Sequence, residues 1–293
     1  MTDYVKSPPA DRSRCRFSIL LPTWNNLAAL QLVVRSIRTH SAFAHQIIVH
    51  VNEGRDGTLD WVRSQPDLDY TFSPENIGIC LALNLARSLI ATDYVVYLND
   101  DMYLCPGWDR VFDAEIRAVG HTCFFFSATM IEPTDTGNPC VVVADYGRDV
   151  RSLDEARLLA TYADHPKADW QGSTWPPSVV HRDLWDLVGG YSVEFSPGMY
   201  SDTDFSRKLW AAGVRLFKGL GAARVYHFGS QSTRRIRHNA GRRTFLRKWG
   251  ISSGTFNRDY LRRGAPFDGL LAEPVFSPAR QALLRLRRGL SGF

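Results

Sequence analysis

Asp100 and Asp101 stand side by side where Asp93-Tyr94-Val95-Val96-Tyr97-Leu98-Asn99 runs out. A hydrophobic and aromatic run bounded by polar residues reads as a strand buried on both faces, as in a parallel sheet. Ligands of open α/β sheets collect at the carboxyl ends of such strands, and two neighbouring aspartates there suit a hard divalent cation that bridges a diphosphate. The same residues also suit a capping turn, since Asp and Asn favour strand-to-helix junctions and Pro106 follows shortly. Context has to choose between the two.

The context is a series of strand ends. Phe17-Ser18-Ile19-Leu20-Leu21-Pro22 reads as a buried strand stopped by its proline. Asn25 or Asn26 can cap the helix that follows, in which Leu27, Leu30, Val33, Val34 and Ile37 recur at helical spacing. Gln46-Ile47-Ile48-Val49-His50-Val51 is a second strand, and Thr58 can cap a short helix with Leu59, Trp61 and Val62. A short third strand spans residues 69–72, and a helix runs through Leu81, Leu85 and Leu89 before the fourth strand at 93–98. Strands alternating with helices through short connections give a doubly wound parallel sheet with right-handed crossovers, whose usual ligand is a nucleotide.

Neither a GxGxxG after the first strand nor a GxxxxGK[ST] is present, so no glycine loop cradles a phosphate. The strand ends instead offer Thr23 and Trp24, then Asn52 and Glu53, then Asn76, then Asp100 and Asp101. A carboxylate such as Glu53 can accept from a base imide or ribose hydroxyls while the aspartate pair holds a metal on the phosphates. This division of labour binds a nucleoside diphosphate without glycines.

The chain has 293 residues, 44% hydrophobic and 22% charged, which is ordinary for a globular protein with one large core. Cys15, Cys80, Cys105, Cys123 and Cys140 are scattered without CxxC spacing, as expected of thiols in a reducing cytosol. Residues 1–15 read as a flexible polar arm without the apolar segment of a signal peptide, and no apolar run approaches the roughly 20 residues of a membrane span. The net charge of +5 is uneven, with the basic excess falling from Arg234 onward.

Pro22-Thr23-Trp24-Asn25-Asn26, Asn52-Glu53-Gly54 with Asp56-Gly57-Thr58, Asn76-Ile77-Gly78 and Leu98-Asn99-Asp100-Asp101 follow one another in an order and spacing that resembles the family 2 glycosyltransferases, over roughly residues 16–230. The resemblance implies a GT-A type α/β fold, a Rossmann-like mixed sheet flanked by helices. It also implies an inverting, metal-dependent transfer of a sugar from a nucleoside diphosphate sugar to an acceptor hydroxyl, in polysaccharide or glycolipid synthesis. Pro22, Thr23, Trp24, Glu53, Asn76 and Asp100 would hold the donor nucleotide. Asp101 would bind Mn²⁺ or Mg²⁺, and His227, at the end of Ala223-Arg224-Val225-Tyr226, would complete the metal site. A mixed nitrogen and oxygen site suits manganese better than magnesium. Ser201-Asp202-Thr203-Asp204 matches the family's acidic motif at a helix start. Asp202 is placed as the base that takes the acceptor hydroxyl's proton, with Trp175 and Asp204 as acceptor or positioning residues. Acids at a helix start also complement its dipole, which is the structural alternative. The sequence departs from the family where Asn52 replaces an acid, Asn99 a frequent Asp and Ser201 a Glu. Other readings of a similar sheet are a sugar-phosphate nucleotidylyltransferase, which normally carries a Gly-rich segment with Arg and Lys after the first strand, and a non-catalytic nucleotide- or sugar-binding module.

Trp108 to Val119 reads as a helix with Val111, Phe112, Ile116 and Val119 on one face, and Cys123-Phe124-Phe125-Phe126-Ser127 as a core strand. Residues 132–175 read as acceptor-facing loops with a short helix at 153–162. A short strand at 177–182 and a helix around Leu184-Trp185-Val188 follow; Gly213-Val214-Arg215-Leu216-Phe217 reads as an edge strand, separate from the one ending at His227. Ser230, Ser232 and Thr233 could contact a diphosphate. These elements divide the chain into a glycosyltransferase domain at 16–233, with a nucleotide half at 16–105 and an acceptor half at 106–233, and a basic helical C-terminal extension at 234–293. In that extension Arg234-Arg235-Ile236-Arg237-His238, Arg242-Arg243 and Arg247-Lys248 are interleaved with Phe245 and Trp249. Arg280, Arg285, Arg287 and Arg288 lie among leucines at helical spacing. Peripheral contact with an anionic membrane at its inner, cytoplasmic face, or with a lipid- or diphosphate-linked acceptor, fits this pattern better than nucleic acid does.

Overall fold

The computed structural model describes residues 5–6, 12–229 and 239–280. The N-terminal half is the expected alternation. A two-residue strand β1 (Val5–Lys6) precedes β2 (Ser18–Trp24), α1 (Leu27–His40), β3 (Gln46–Asn52), α2 (Thr58–Ser64), β4 (Leu68–Ser73), α3 (Gly78–Ala86) and β5 (Tyr94–Tyr97). The chain continues through β6 (Met102–Leu104), α4 (Trp108–Val119), β7 (Phe124–Glu132), β8 (Val142–Val143), α5 (Glu155–Thr161), β9 (Trp170–Gln171) and β10 (Ser178–His181). It goes on through α6 (Arg182–Leu187), α7 (Ser201–Ala211), β11 (Leu216–His227) and α8 (Gly241–Trp249), followed by short helical turns at Ser253–Thr255 and Phe256–Tyr260.

One sheet joins these strands in the order β1-β4-β3-β2-β5-β10-β7-β11-β6, with β8 added to β7 and β9 to β11. It is parallel across β4, β3, β2 and β5. The parallel part read from the first four strands ends there, and the sheet is mixed, as the resemblance implied, because β10 runs antiparallel to both of its neighbours, β5 and β7. That strand arrives after the long loops of residues 133–177 rather than through a single crossover helix, so the right-handed βαβ rule does not govern its direction.

Side-chain alternation along the strands builds two cores. Ile19, Leu21, Val49, Val96, Phe124 and Phe126 face α1 and α4, whereas Leu20, Ile48, Val95, Phe125 and Phe217 face α3, α6 and α7. A smaller cluster lies around α5, with Tyr103, Ile131, Tyr146, Leu158 and Tyr226. Burying each such phenylalanine or leucine contributes roughly 1.5–3 kcal/mol, which fixes the face each strand residue takes.

Several local expectations are corrected. The helix expected through Leu81, Leu85 and Leu89 ends at Ala86; Leu81 and Leu85 are 39% and 46% exposed, and Cys80, Ala82, Leu83 and Ala86 are its buried residues. The small residues let the helix lie close on the sheet below. Asn26 is the N-cap residue of α1 but its side chain makes no capping hydrogen bond, and Gly57 rather than Thr58 is the N-cap of α2. Asp56 serves both helix starts, accepting from Leu27 N at 2.8 Å and from Thr58 N at 3.1 Å. The two strands expected at 213–217 and 223–230 are one strand, β11. It lies inside the sheet between β7 and β6, with a register shift between Leu220 and Arg224.

The described part of the C-terminal stretch packs on the same body. Phe245 of α8 is buried in the second core, and Leu271 N donates to Arg215 O at 2.9 Å. Among the described residues no helix is long and apolar enough to cross a membrane, and no cysteine forms a disulfide. The serines and threonine at 230–233, the arginines at 234–237 and the leucine-arginine segment after Arg280 lie outside the described residues.

Candidate active site

The carboxyl ends of β2, β3 and β5 open into a cavity of about 390 Å³ whose far wall is the loop before α7. That size suits a small-molecule ligand. Pro22, Thr23, Trp24, Asn76, Asp100, Asp101, Trp175, Asp202 and His227 all line it. Residues more than a hundred positions apart in sequence therefore share one chamber.

Asp100 and Asp101 sit in the turn between β5 and β6, and both are buried. The turn is not merely a cap. Thr23 Oγ1, at the end of β2, donates to Asp100 Oδ2 at 2.7 Å, and Asp101 O accepts from Phe228 N at 3.2 Å. Pairing of β6 with β11 sets His227 opposite Met102, which brings the imidazole beside Asp101. His227 Nε2 lies 3.5 Å from Asp101 Oδ1, and Nδ1 lies 2.8 Å from Glu132 Oε1. Burial alone would lower the imidazole's pKa, but its interactions with the two carboxylates outweigh this and raise it to about 9.

Two polar atoms here are buried without a hydrogen-bond partner, Asp101 Oδ2 and His227 Nε2. Such atoms are costly to leave unsatisfied, and an oxygen and a nitrogen donor facing one space fit a divalent cation. Among the described residues no group of three or more His, Cys, Asp or Glu side chains is arranged to hold a metal. A cation at this pair would therefore draw its remaining ligands from outside the protein, as Mg²⁺ and Mn²⁺ do from diphosphate oxygens and water.

Asp202 occupies the first turn of α7, directly after Tyr200, whose backbone is left-handed at φ 73°. Tyr191 OH donates to Asp202 Oδ1 at 3.3 Å. The Tyr191 ring stacks on Phe205 at 4.7 Å and meets the edge of Tyr97 at 5.7 Å, so the carboxylate stands against an aromatic wall. Burial pushes its pKa up to about 7, only partly countered by the tyrosine hydroxyl. A carboxylate poised near neutrality can accept a proton from a hydroxyl brought into the cavity.

Two expected site residues are elsewhere. Glu53 does not line the cavity; its backbone is left-handed at φ 61° and its Oε2 accepts from Asn25 Nδ2 at 3.0 Å. Asn52, one residue earlier, lines it instead, and its Oδ1 accepts from Ile77 N at 3.0 Å, tying the Asn76 turn to β3. Asp204 is fully buried on the other side of α7, accepting from Trp249 Nε1 at 2.7 Å and pairing with Lys248 at 3.0 Å. It anchors α8 and faces no acceptor space. Trp175 does reach the cavity, with the Arg263 guanidinium 4.4 Å from its ring centre.

The structure adds Tyr97, Asn99, Glu132, Asn138, Met199 and Tyr200 to the lining. Glu132 carried a usable signal, since it ends an apolar run just before Pro133, as Asp100 ends its own. Met199 and Tyr200 carried none. Their loop is held in place by Ile79 N donating to Pro197 O at 2.9 Å and by Asn239 Nδ2 donating to Phe195 O at 2.7 Å.

Comparison with known proteins agrees with this geometry. Residues 18–138 match the model of glycosyl transferase family 2. The pre-mycofactocin glycosyltransferases of two Mycobacterium tuberculosis strains, CDC 1551 / Oshkosh and ATCC 25618 / H37Rv, are each 25% identical to this chain over 216 residues. Those residues are 71% of this chain and 42% of the relatives, so the chain spans less than half the length of these curated proteins. S. aureus TarS 1-349 superposes with a TM-score of 0.56 at 13% identity, over 95% of this chain and 72% of that one. GalNAc-T7, solved with UDP, GalNAc and Mn²⁺, superposes with a TM-score of 0.57 at 12% identity, over 81% of this chain and 48% of that one. Similarity at this level speaks to the fold, a curled mixed sheet flanked by helices as in GT-A glycosyltransferases. The chain thus matches the glycosyl transferase family 2 model over residues 18–138, and its α/β fold is similar to that of GT-A glycosyltransferases.

Proposed function

We propose that this protein is a glycosyltransferase that moves a sugar from a nucleoside diphosphate sugar to an acceptor hydroxyl with inversion. The observation that carries the reading is that one cavity is lined both by Asp101 and His227, each with a buried polar atom that makes no hydrogen bond, and by a carboxylate raised toward neutrality, Asp202. Inverting transfer needs these two parts on opposite sides of the anomeric carbon, a place for the leaving diphosphate and a base for the attacking hydroxyl.

The roles divide along the cavity. Pro22, Thr23, Trp24, Asn52 and Asn76 line the nucleoside end, and Thr23 holds Asp100 in position. Asp101 and His227 would hold Mn²⁺ or Mg²⁺, which supplies positive charge to the departing diphosphate. Asp202 takes the acceptor's proton, and Trp175 offers an aromatic face for a sugar ring. The neighbour crystallised with UDP and Mn²⁺ and the TarS structure in complex with UDP support a nucleotide donor of this kind. A saccharide or lipid-linked acceptor in polysaccharide or glycolipid synthesis, at the cytoplasmic face of a membrane, suits the basic residues after Arg234.

Calorimetric titration with a panel of nucleoside diphosphates, with and without Mn²⁺, tests the reading. One nucleotide should bind in a metal-dependent way, and Asp101→Ala should abolish that dependence. Failure of every nucleotide to bind under either condition would overturn the assignment.

A further inference from the structure

We propose that Glu132 is a positioning residue for the cation of this site, holding His227 by Nδ1 so that Nε2 is presented to the ion beside Asp101. The inference rests on the donor-site reading above and adds a residue to it.

The arrangement follows from strand register. In the parallel pair β7–β11, Ile131 lies opposite Tyr226, so the next residues, Glu132 and His227, leave adjacent strands side by side. Both end their strands at the cavity. Glu132 Oε1 accepts from His227 Nδ1 at 2.8 Å, and the glutamate side chain is only 13% exposed. Among the described residues no lysine or arginine pairs with Glu132, so its charge is directed at the imidazole alone.

The other side of the ring identifies the purpose. In a purely structural ion pair both ring nitrogens would be satisfied. Here Nε2 is buried without a hydrogen bond, 3.5 Å from Asp101 Oδ1, and Asp101 Oδ2 is buried without one as well. A hydrogen bond at one imidazole nitrogen fixes which nitrogen remains available as a ligand, and fixes the ring plane. Glu132 makes that bond from the rigid end of β7, while Asp101 is held by Phe228 N on the chain that carries His227.

The test measures Mn²⁺ affinity by electron paramagnetic resonance of free ion, with the nucleoside diphosphate that the wild type binds, and reads nitrogen coupling to bound Mn²⁺ by electron spin echo envelope modulation. Glu132→Ala should weaken Mn²⁺ about 10- to 100-fold and reduce the nitrogen coupling. Glu132→Gln keeps an oxygen for Nδ1–H and should recover most of both. If Glu132→Ala does not fold, Glu132→Asp, which draws the carboxylate back from the ring, carries the same expectation. Unchanged affinity in Glu132→Ala overturns the proposal, and so does equal loss in the Ala and Gln variants, which would make Glu132 a direct ligand. A wild type that binds nucleotide but no Mn²⁺ overturns this inference and leaves the nucleotide site standing; a wild type that binds neither overturns both.

Discussion

The Tyr191 hydroxyl donates to Asp202 Oδ1 at 3.3 Å from a ring packed flat against Phe205, so among the described residues the carboxylate's one side-chain hydrogen bond comes from an immobilised donor. Activity should follow the deprotonated aspartate, with kcat/KM rising as pH passes through about 7. Because the tyrosine's bond favours the charged form, Tyr191→Phe should move this ascending limb to higher pH. Asp202→Asn should lower kcat by roughly 10²- to 10⁴-fold while donor binding persists. A pH–rate series on the three proteins checks all three statements.

The same carboxylate should weaken the fold as pH rises. Its folded pKa lies above the ordinary carboxylate value of about 4, so between about 4 and 7 the folded state holds a proton that the unfolded state has released. Stability from this group is fully present below that window and is lost as pH climbs through it. The melting temperature of Asp202→Asn should therefore exceed that of the wild type by a margin that grows from pH 4 to pH 7 and then levels. Thermal melts across that range measure it, independently of catalysis.

Thr23 lines the cavity, and its hydroxyl donates to Asp100 Oδ2 at 2.7 Å. A hydrogen bond to a charged group contributes roughly 1.5–3 kcal/mol. Thr23→Val should weaken metal-dependent nucleotide binding by about tenfold or more, measured by calorimetry, with little change in melting temperature.

Asp204 should report on stability. Removing it leaves Trp249 Nε1 without its acceptor and Lys248 with only its outer partners, Ser192 and Glu194. Breaking a buried ion pair costs roughly 3–5 kcal/mol, and the partly exposed lysine places Asp204→Ala near the lower end. Denaturant unfolding should show the loss, and Asp204→Asn, which keeps an acceptor for the indole, should lose less.

Gly78 opens α3 at φ +74°, and a Cβ there would stand 2.8 Å from Pro197 Cα. Gly78→Ala should push the 197–200 loop away from the nucleotide wall. The expected outcome is a fold that still melts cooperatively with a raised KM for donor, measured by steady-state kinetics.

The nucleotide half was legible because its signals are local. Apolar runs such as Ile47-Ile48-Val49 and polar strand ends such as Thr23, Asn76 and Asp100 lie within a few residues of one another, and right-handed crossovers place those ends on one edge. Errors came where a local signal had two readings. Leu81 and Leu85 have helical spacing, but Cys80 and Ala82 fit closer to the sheet, and Glu53 looks like a ligand although backbone geometry turns it to Asn25.

By itself, then, the sequence determined the parallel strand–helix core, the aspartate turn at its edge and the acids that open α7, since each follows from periodicity or from chemistry between near neighbours. Only the tertiary structure decided that β10 enters the sheet antiparallel, that Glu132 lies against His227, and that Asp202 faces the cavity while Asp204, two residues on, faces Trp249. Those outcomes depend on strand register and on which side of a helix meets which neighbour. Such choices are set by burial summed over the whole core, and no short stretch of chain encodes that sum.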